Sequence, residues 1–537
     1  MTRPCRPGPR PGPSGDDERA THGATYPAYP APRLANLADI ATSGARRFGA
    51  SAAFERRDGS VVTYAQLNDA VDQVGGALAG ARASLVELVV TDPCLVAIGV
   101  LGCARAGASV ILRSPRQRHA PATARLTAHA RLDDAAVARL INGLGGALAP
   151  ARLRDAGTSG GRVPSLPHDG RPDPVRTAFA REDPCVVLQS SGTTGAPKAV
   201  VLTQAGVLAD MVAGLRLYEF ARGARTVSVI PPTHAFGLTC DLLAPLATGG
   251  TVCVPDDPRL ALAELAGFAP DALNVPPIVA AGLLDHAVTH GRDAGDAGQL
   301  GRRDALARLT GGRLRKLLCG GAALPPEVTV GLRALGVEAF GCYGLTECAP
   351  CVSVNRDGWR KDGSCGVTLG CCETAVSPDG EILVRGANVM RGYLGDAGAT
   401  RRVLDDDGWL HTGDLGRKDA DGFLWTRGRL DDLMVLPDGT KLAPEVAEAA
   451  LRALPEVADA LVSCEDGRIV ATVRAATSPA GATGVTGLSG ATGPSDEELR
   501  RLVRATPLDG THRADDVRLT GAPLPRTASG KLVRRHG

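Results

Sequence analysis

The residues best suited to chemistry lie between Ser190 and Lys198, directly after the apolar residues 185–188. These nine positions hold four hydroxyl groups, two glycines and one lysine, namely Ser190, Ser191, Gly192, Thr193, Thr194, Gly195 and Lys198. Glycine lets the backbone approach a ligand closely, and successive N–H groups and hydroxyls form a concavity that binds anions. The lysine adds a positive charge. The segment therefore predicts a loop that holds a polyphosphate.

This loop has two other interpretations. A surface turn rich in serine and glycine is the simplest of them. A phosphate-loop NTPase is the other, and it requires Gly-Lys-Ser/Thr in a row. Here Ala196 and Pro197 separate Gly195 from Lys198, and Ala199 follows the lysine. The spacing therefore disfavours the NTPase.

Six further motifs follow the loop along the chain. They occupy residues 231–237 (PPTHAFG), 320–325 (GGAALP), 343–347 (YGLTE), 408–414 (GWLHTGD), 428–432 (GRLDD) and 525–531 (PRTASGK). The first two come directly after strand-like runs. Because ligands of open α/β sheets bind at the carboxyl ends of the strands, we expect the motifs to converge on one cleft.

In this order the seven motifs resemble those of the adenylate-forming (AMP-binding) superfamily, which includes acyl-CoA synthetases, peptide-synthetase adenylation domains and luciferases. The resemblance extends from about Leu34 to Lys531. It implies a ligase that uses ATP and Mg²⁺ to convert a carboxylic acid to acyl-AMP with release of pyrophosphate. The acyl group then passes to a thiol, either CoA or the phosphopantetheine of a carrier protein.

The resemblance also implies roles for individual residues. The loop from Ser190 to Lys198 would hold the pyrophosphate portion of ATP, Thr346 would contact the α-phosphate, and Glu347 would bind Mg²⁺. A carboxylate together with phosphate oxygens suits this hard cation. Further nucleotide contacts are implied for Gly321, Ala322, Tyr343, Gly344, Asp414 and Arg429, of which Asp414 would accept hydrogen bonds from the ribose hydroxyls.

Lys531 is the main catalytic residue that the resemblance implies. It would bridge the carboxylate and the α-phosphate during adenylation, alongside catalytic roles for Thr346, Glu347 and His234. The small C-terminal domain would then rotate about Asp431 and admit the thiol, as in other hinged enzymes. Because Asp432 is adjacent, the hinge is fixed only to within one residue.

The substrate pocket is predicted from His234, Phe236, Gly237 and Leu238. Amino-acid-activating relatives carry an aspartate after the aromatic residue, where this chain has Gly237, so an amino acid is disfavoured because its buried ammonium would be unpaired. The sequences of residues 234–239, 343–350 and 433–441 are most similar to those of bacterial fatty acyl-CoA and acyl-ACP synthetases. Val275, Ile278 and Val279 are further pocket or core candidates. A fatty or other apolar acid is therefore expected, with any acyl carrier protein acting in trans.

Composition argues against nucleic-acid binding, membrane spans and zinc sites. The 537 residues carry a net charge of +2 and only 3% aromatic residues, which gives no signal for nucleic acid. No apolar run has the length of a membrane span. The fourteen cysteines are scattered, without paired C-x-x-C spacings for zinc, and are expected to be reduced thiols in the cytoplasm.

The elements that must position these motifs form an α/β pattern. Strands are predicted at 227–230, 251–254 and 315–319, and helices at 203–218, 276–290 and 325–335. After Arg429 the sequence predicts helix 444–454, strands 458–463 and 469–474, and helix 496–505. The fold class is α/β, with a large N-terminal domain of doubly wound sheets and helices and a small, mobile α+β C-terminal domain.

The chain is expected to divide into a disordered tail at 1–30, an AMP-binding domain at 31–428 and the small domain at 429–537. The AMP-binding domain would contain a flexible insertion at 150–183. A low-complexity loop occupies 478–495. The first 150 residues match the family pattern poorly and are expected to be a divergent scaffold. Two functional alternatives are a stand-alone enzyme that loads an aryl or amino acid onto a carrier protein, and a catalytically silent member that acts as a binding or interaction module.

Overall fold

The computed structural model describes residues 34–115, 130–141, 183–190, 197–218, 222–257, 260–292, 298–437, 440–476, 495–526 and Leu532. The predicted tail, and nearly all of the predicted segments 150–183 and 478–495, lie outside these residues. Within them, no helix is long and apolar enough to cross a membrane.

The described residues form strands β1 to β24. In chain order these are Ala52–Arg56, Val61–Thr63, Leu85–Val89, Ser109–Leu112, Ala130–Asp133, Pro184–Gln189, Ala199–Thr203, Arg225–Val227, Thr251–Val254, Ala272–Val275, Lys316–Cys319, Glu338–Gly344, Cys351–Val354, Val367–Thr368, Cys372–Val376, Glu381–Gly386, Gly392–Tyr393, Leu410–Lys418, Leu424–Arg429, Met434–Val435, Lys441–Leu442, Val457–Glu465, Arg468–Ala475 and Asp516–Leu519.

The helices α1 to α13 are, in the same order, Asp39–Phe48, Tyr64–Gly80, Pro93–Ala106, Asp134–Leu140, Gln204–Leu217, Ala244–Thr248, Leu265–Phe268, Pro277–Arg292, Gln299–Thr310, Pro326–Ala334, Ala397–Val403, Pro444–Arg452 and Asp496–Ala505. A π-helix covers Gly237–Leu243, and a 3₁₀ turn covers Thr346–Cys348.

Local sequence explains several of these boundaries. The side chain of Thr63 caps the N-terminus of α2 in a capping box with Gln66, and Ser495 does the same for α13 with Glu498. Asp92 caps α3, whose apolar residues are almost all buried, and Gly107 ends that helix with φ of 70°. Capping and apolar periodicity are local signals, so helix limits can be predicted from sequence.

The strands assemble into six sheets. A six-stranded sheet has the order β17-β7-β6-β4-β3-β5, in which β6, β4, β3 and β5 are parallel, and a five-stranded sheet has the order β10-β11-β12-β13-β14. Two four-stranded sheets are β2-β1-β9-β8 and β15-β16-β18-β19, and smaller sheets are β20-β21 and β22-β23-β24. With helices packed around parallel strands, this confirms the predicted mixed α/β fold class.

Three large hydrophobic clusters lie beneath these sheets. The largest joins α1, α2 and α3 to the six-stranded sheet, so the poorly matching first part of the chain is well packed where it is described. A second surrounds β10, β11 and α8. The third contains only residues from Met434 onward, among them Leu451, Ala471 and Val517. A separate core is what a small C-terminal domain needs, and we retain the limits 31–428 and 429–537 as a proposal.

The predicted elements agree closely with the structure except at one strand. Helices α5, α8, α10 and α13 begin and end within two residues of their predicted limits. The strand predicted at 227–230 is instead β8, which ends at Val227. The chain leaves the sheet there because Ile230 N donates to the side chain of Asp241 and two prolines follow.

Candidate active site

The ends of the polyphosphate loop are joined by the β6–β7 hairpin. Ser190 N donates to Lys198 O at 2.9 Å, and Lys198 N donates to Ser190 Oγ at 3.2 Å. The intervening Ser191, Gly192, Thr193, Thr194 and Gly195 lie outside the described residues. The hairpin therefore fixes where the loop begins and ends, and it leaves Lys198 exposed.

Lys198 is connected to Glu347 through Tyr393. The Lys198 ammonium lies 4.8 Å from the centre of the Tyr393 ring, a distance suited to a cation–π contact. The Tyr393 hydroxyl donates to Glu347 Oε1 at 2.9 Å. Burial and the neighbouring carboxylate raise the pKa of Tyr393, so its hydroxyl keeps its proton. No local signal in the sequence singles out Tyr393, which pairs with β7 through the two-residue strand β17.

Asp414 is held from two sides. Arg429 Nη1 donates to Asp414 Oδ1 at 2.9 Å, and the Tyr343 hydroxyl donates to Oδ2 at 2.8 Å. Asp414 and Arg429 are register partners on β18 and β19. The pKa of Tyr343 is raised by burial and by Asp414. Arg429 Nε is buried without a hydrogen-bond partner among the described residues. Three predicted nucleotide residues thus meet, although they come from three strands.

Glu381 on β16 fixes the turn that presents Asp414. Glu381 Oε1 accepts from Gly413 N at 2.8 Å, and Oε2 lies 2.9 Å from His411 Nδ1. Gly413 has φ of 70°, a conformation that favours glycine. Sequence reasoning missed Glu381 because a glutamate in a half-buried strand gives no local signal of such a contact.

Two predicted glycine-containing segments have tightly packed backbones. One follows β11 and contains Gly320, Gly321 and Ala322, and the other is the end of β12 at Gly344. A Cβ on Gly344 would lie 1.9 Å from Pro350 O, so only glycine fits there. Gly321 has φ of 85° and, like Ala322, is exposed. Thr346 and Glu347 follow on the 3₁₀ turn, and Glu347 O accepts from Met390 N at 2.8 Å. These backbone constraints fix the YGLTE segment beside the loop hairpin.

The predicted substrate residues surround the start of the π-helix. Leu238 N donates to His234 O at 2.9 Å, and burial lowers the pKa of His234, which favours its neutral form. The Phe236 ring would lie 3.3 Å from a Cβ on Gly320. Leu238 is buried in the main core, as Val275 is in the second. The Ile278 residue is 52% exposed and therefore belongs to the surface.

Gly237 has no room for a side chain. A Cβ at this position would lie 2.4 Å from Pro231 O and 2.6 Å from Ile230 O, and both atoms are backbone carbonyls. An aspartate in the place that amino-acid-activating relatives use would therefore require the 230–231 turn to move. This packing adds a steric reason for glycine to the charge argument made from the sequence.

A buried carboxyl group lies directly behind this turn. Asp241 is fully buried; its Oδ2 accepts from Ile230 N at 3.0 Å, and its Oδ1 accepts from Asn274 Nδ2 at 2.7 Å. Burial raises the pKa of Asp241 to about 7, against the effect of these hydrogen bonds. Asp241 was not predicted from the sequence; it is a buried residue of the π-helix.

The remaining predicted residues are Asp431 and Lys531. Asp431 is exposed in the turn after β19, whereas Asp432 is buried and its N donates to Arg429 O at 3.3 Å. The pivot role of Asp431 stays a prediction. Lys531 lies outside the described residues, so its role stays a prediction.

The chain resembles known proteins over much of its length. The model of the AMP-binding enzyme family matches residues 42–394. The chain is 31% identical over 385 residues to 4-coumarate–CoA ligase 2 of Oryza sativa subsp. japonica, covering 67% of this chain and 62% of that protein. It is 29% identical over 324 residues to long-chain-fatty-acid–CoA ligase FadD15 of Mycobacterium bovis, covering 53% of each. The alignments thus span between half and two thirds of these relatives.

Among solved structures, the o-succinylbenzoate coenzyme A synthetase of Bacillus subtilis in complex with AMP superposes with a TM-score of 0.68. The superposition covers 92% of this chain and 97% of that one at 21% sequence identity. At this identity the likeness concerns the fold, including its division into a large and a small domain.

Proposed function

The chain belongs to the AMP-binding enzyme family, and from that premise we propose that it is an AMP-forming ligase that joins a carboxylic acid to a thiol. The observation that carries the proposal is the double hydrogen bonding of Asp414 by Tyr343 and Arg429. A carboxylate held with fixed orientation is suited to accept hydrogen bonds from the ribose of ATP.

The first step forms one bond and breaks another. A carboxylate oxygen of the acid attacks the α-phosphorus of ATP, and the bond from that phosphorus to the bridging oxygen of the β-phosphate breaks. Pyrophosphate leaves with the electron pair. Because two anions must approach each other, the site has to screen charge. We assign this to the loop from Ser190 to Lys198, to Thr346 and to Lys531.

The residues present fit a magnesium ion carried by the nucleotide. Glu347 Oε1 accepts from Tyr393, and Oε2 would take the cation. Among the described residues no group of three acidic, histidine or cysteine side chains could hold a metal. Mg²⁺ typically binds through one or two carboxylates plus phosphate oxygens and water. We therefore propose Glu347 as its protein ligand; bound there, the ion would neutralise charge on the phosphates.

We propose CoA as the acceptor ahead of a carrier protein, since the relatives named above are CoA ligases. For the acid, one relative is named for 4-coumarate and the other for long-chain fatty acids. Both acids are largely apolar, and Phe236 offers an apolar wall near Gly320. We propose an apolar aliphatic or aryl acid as the substrate. Fatty acids, which the motif sequences suggest, are the first substrates to test.

The test is pyrophosphate release from ATP with a panel of acids: medium- and long-chain fatty acids, hydroxycinnamates, benzoate and amino acids. We expect release with at least one apolar acid, and thioester formation when CoA is added. A holo carrier protein replaces CoA in a parallel arm. Release of orthophosphate, or no pyrophosphate with any acid while ATP still binds, would contradict the proposal and favour a silent binding module.

A further inference from the structure

Three cysteine thiols meet behind the YGLTE loop. They come from three separate elements: Cys240 from the π-helix, Cys342 from β12 and Cys351 from the start of β13. Cys240 Sγ lies 3.8 Å from Cys351 Sγ. The Cys342 thiol, which donates to Cys319 O at 3.3 Å, is near enough to lower the pKa of Cys351. Acid activation by ATP uses no enzyme thiol, so the reaction does not explain this cluster.

The cluster connects two parts of the candidate site. Cys240 lies in the π-helix that begins at Gly237, and Cys351 is the register partner of Gly344. The Thr239 hydroxyl donates to Ala349 O at 3.1 Å, so the backbone segments already touch. A covalent bond between Cys240 and Cys351 would tie the substrate segment to the strand that follows the YGLTE loop.

The two thiols differ in character. Interaction with the Cys240 and Cys342 thiols lowers the pKa of Cys351, whereas interaction with Cys351 and burial raise the pKa of Cys240. A thiolate is the nucleophile in oxidation chemistry. By contrast, Cys94, Cys103 and Cys185 are buried in the core, where burial raises their pKa.

We propose that Cys240 and Cys351 form an oxidant-sensitive pair that closes to a disulfide in the presence of hydrogen peroxide. The Cys351 thiolate attacks one peroxide oxygen, the O–O bond breaks, and the hydroxide that leaves takes a proton to become water. The Cys240 sulfur then attacks the resulting sulfenic acid and displaces a second water. Two thiols are oxidised and one peroxide is reduced to two water molecules.

Disulfide formation between Cys240 and Cys351 requires little movement of the two sulfur atoms. The two sulfur atoms must approach from 3.8 Å to about 2.0 Å, the length of a disulfide bond. Rotation of the side chains can supply most of this. Cys348 and Cys351 form a single C-x-x-C, which lacks the second pair that a zinc site needs but has the spacing that many redox dithiols use. A Cys348–Cys351 bond is therefore the main competitor in the experiment.

The experiment is peroxide treatment of the full chain followed by non-reducing digestion and mass spectrometry. Trypsin releases Cys342, Cys348 and Cys351 in one peptide, and cleavage after Glu347 separates Cys342 from the other two. We expect a linked peptide that joins Cys240 to Cys351, that disappears on reduction, and that is missing in Cys240→Ser and Cys351→Ser. The control Cys103→Ser should retain the link.

An activity readout rests on the proposed function and is kept separate. Peroxide should lower pyrophosphate release by the wild type several-fold, dithiothreitol should restore it, and Cys240→Ser should keep its own activity after peroxide. A link from Cys351 to Cys342 or Cys348, or oxidation of Cys351 without a link, would overturn the pairing. Because the link is read by mass, an inactive enzyme would refute only the proposed function. Thermal melting confirms that each variant is folded.

Discussion

Arg429 Nη1 donates to Asp414 Oδ1 at 2.9 Å across two neighbouring strands, while Tyr343 holds the other carboxylate oxygen. A hydrogen bond to a charged group contributes about 1.5–3 kcal/mol. We expect Asp414→Ala to raise the KM for ATP about tenfold to hundredfold, because the proposed ribose acceptor is lost. Tyr343→Phe should cause a smaller rise, because Arg429 still orients Asp414. Steady-state pyrophosphate release at varied ATP measures both, and an unchanged KM in Asp414→Ala would refute the ribose role.

Tyr393 offers a test of the metal assignment. Tyr393→Phe keeps the ring beside Lys198 but removes the hydroxyl that orients Glu347. A neutral hydrogen bond contributes about 0.5–1.5 kcal/mol, so the Mg²⁺ concentration for half-maximal activity should change about twofold to tenfold. Tyr393→Leu removes both contacts and should also raise the KM for ATP. Activity titrated with Mg²⁺ is the measurement, and an identical titration for Tyr393→Phe and wild type would speak against Glu347 as the ligand.

Lys531 is the predicted catalytic lysine. Lys531→Ala should abolish acyl-adenylate formation while the protein keeps its melting temperature, because the charge that bridges carboxylate and α-phosphate is removed. The matched control is Lys418→Ala, because Lys418 is an exposed lysine of β18 with no predicted role in the reaction. Its ammonium lies 3.2 Å from Thr374 Oγ1. ATP–pyrophosphate exchange is the assay. Near-normal exchange in Lys531→Ala would remove the assignment.

Asp241 should make stability depend on pH. Its pKa is about 7 in the folded protein and about 3.9 when unfolded. Between these values the folded state holds a proton that the unfolded state releases. The contribution of Asp241 to stability is therefore fully present below about pH 4 and falls as the pH rises toward 7, by at most about 1.4 kcal/mol per unit.

Asp241→Asn removes this titration. From about pH 5 to pH 7.5 the wild type should lose about 2–3 kcal/mol relative to the variant, following the same slope. Urea unfolding at the two pH values measures the difference, and other titrating groups cancel between the two proteins. A wild-type-to-variant difference that is equal at both pH values would show that Asp241 is charged throughout.

Gly237 tests the steric argument against a carboxylate at that position. Gly237→Ala should destabilise the protein by about 1–3 kcal/mol, the usual cost of overpacking, because its Cβ would meet the backbone carbonyls of Ile230 and Pro231. Gly214→Ala in α5 is the control, since nothing lies within 4 Å of a Cβ there, and it should be neutral or slightly stabilising. Thermal melting compares the two; equal melting temperatures would mean that the 230–231 turn yields easily.

Local signals explain how much could be predicted. The limits of α13 follow from the Ser495 cap and its amphipathic pattern, and the loop after β6 follows from an apolar run that ends in glycine and hydroxyl residues. The pairing of β6 with β7 into a hairpin came only from the structure. The error at β8 arose because an apolar run alone predicts that a strand continues to Ile230. In fact the backbone N–H of Ile230 finds a side-chain acceptor on the π-helix.

The sequence by itself determined the fold class, the order of the motifs and the types of residue available for binding a nucleotide. The tertiary structure decided which of those residues meet. Tyr343 and Asp414 are 71 positions apart, and Cys240 and Cys351 are 111 positions apart. The hydrogen bond from Tyr393 to Glu347 spans 46 positions. Such contacts depend on how strands are ordered within sheets, which is set by burial of the whole core, and no single segment carries that information.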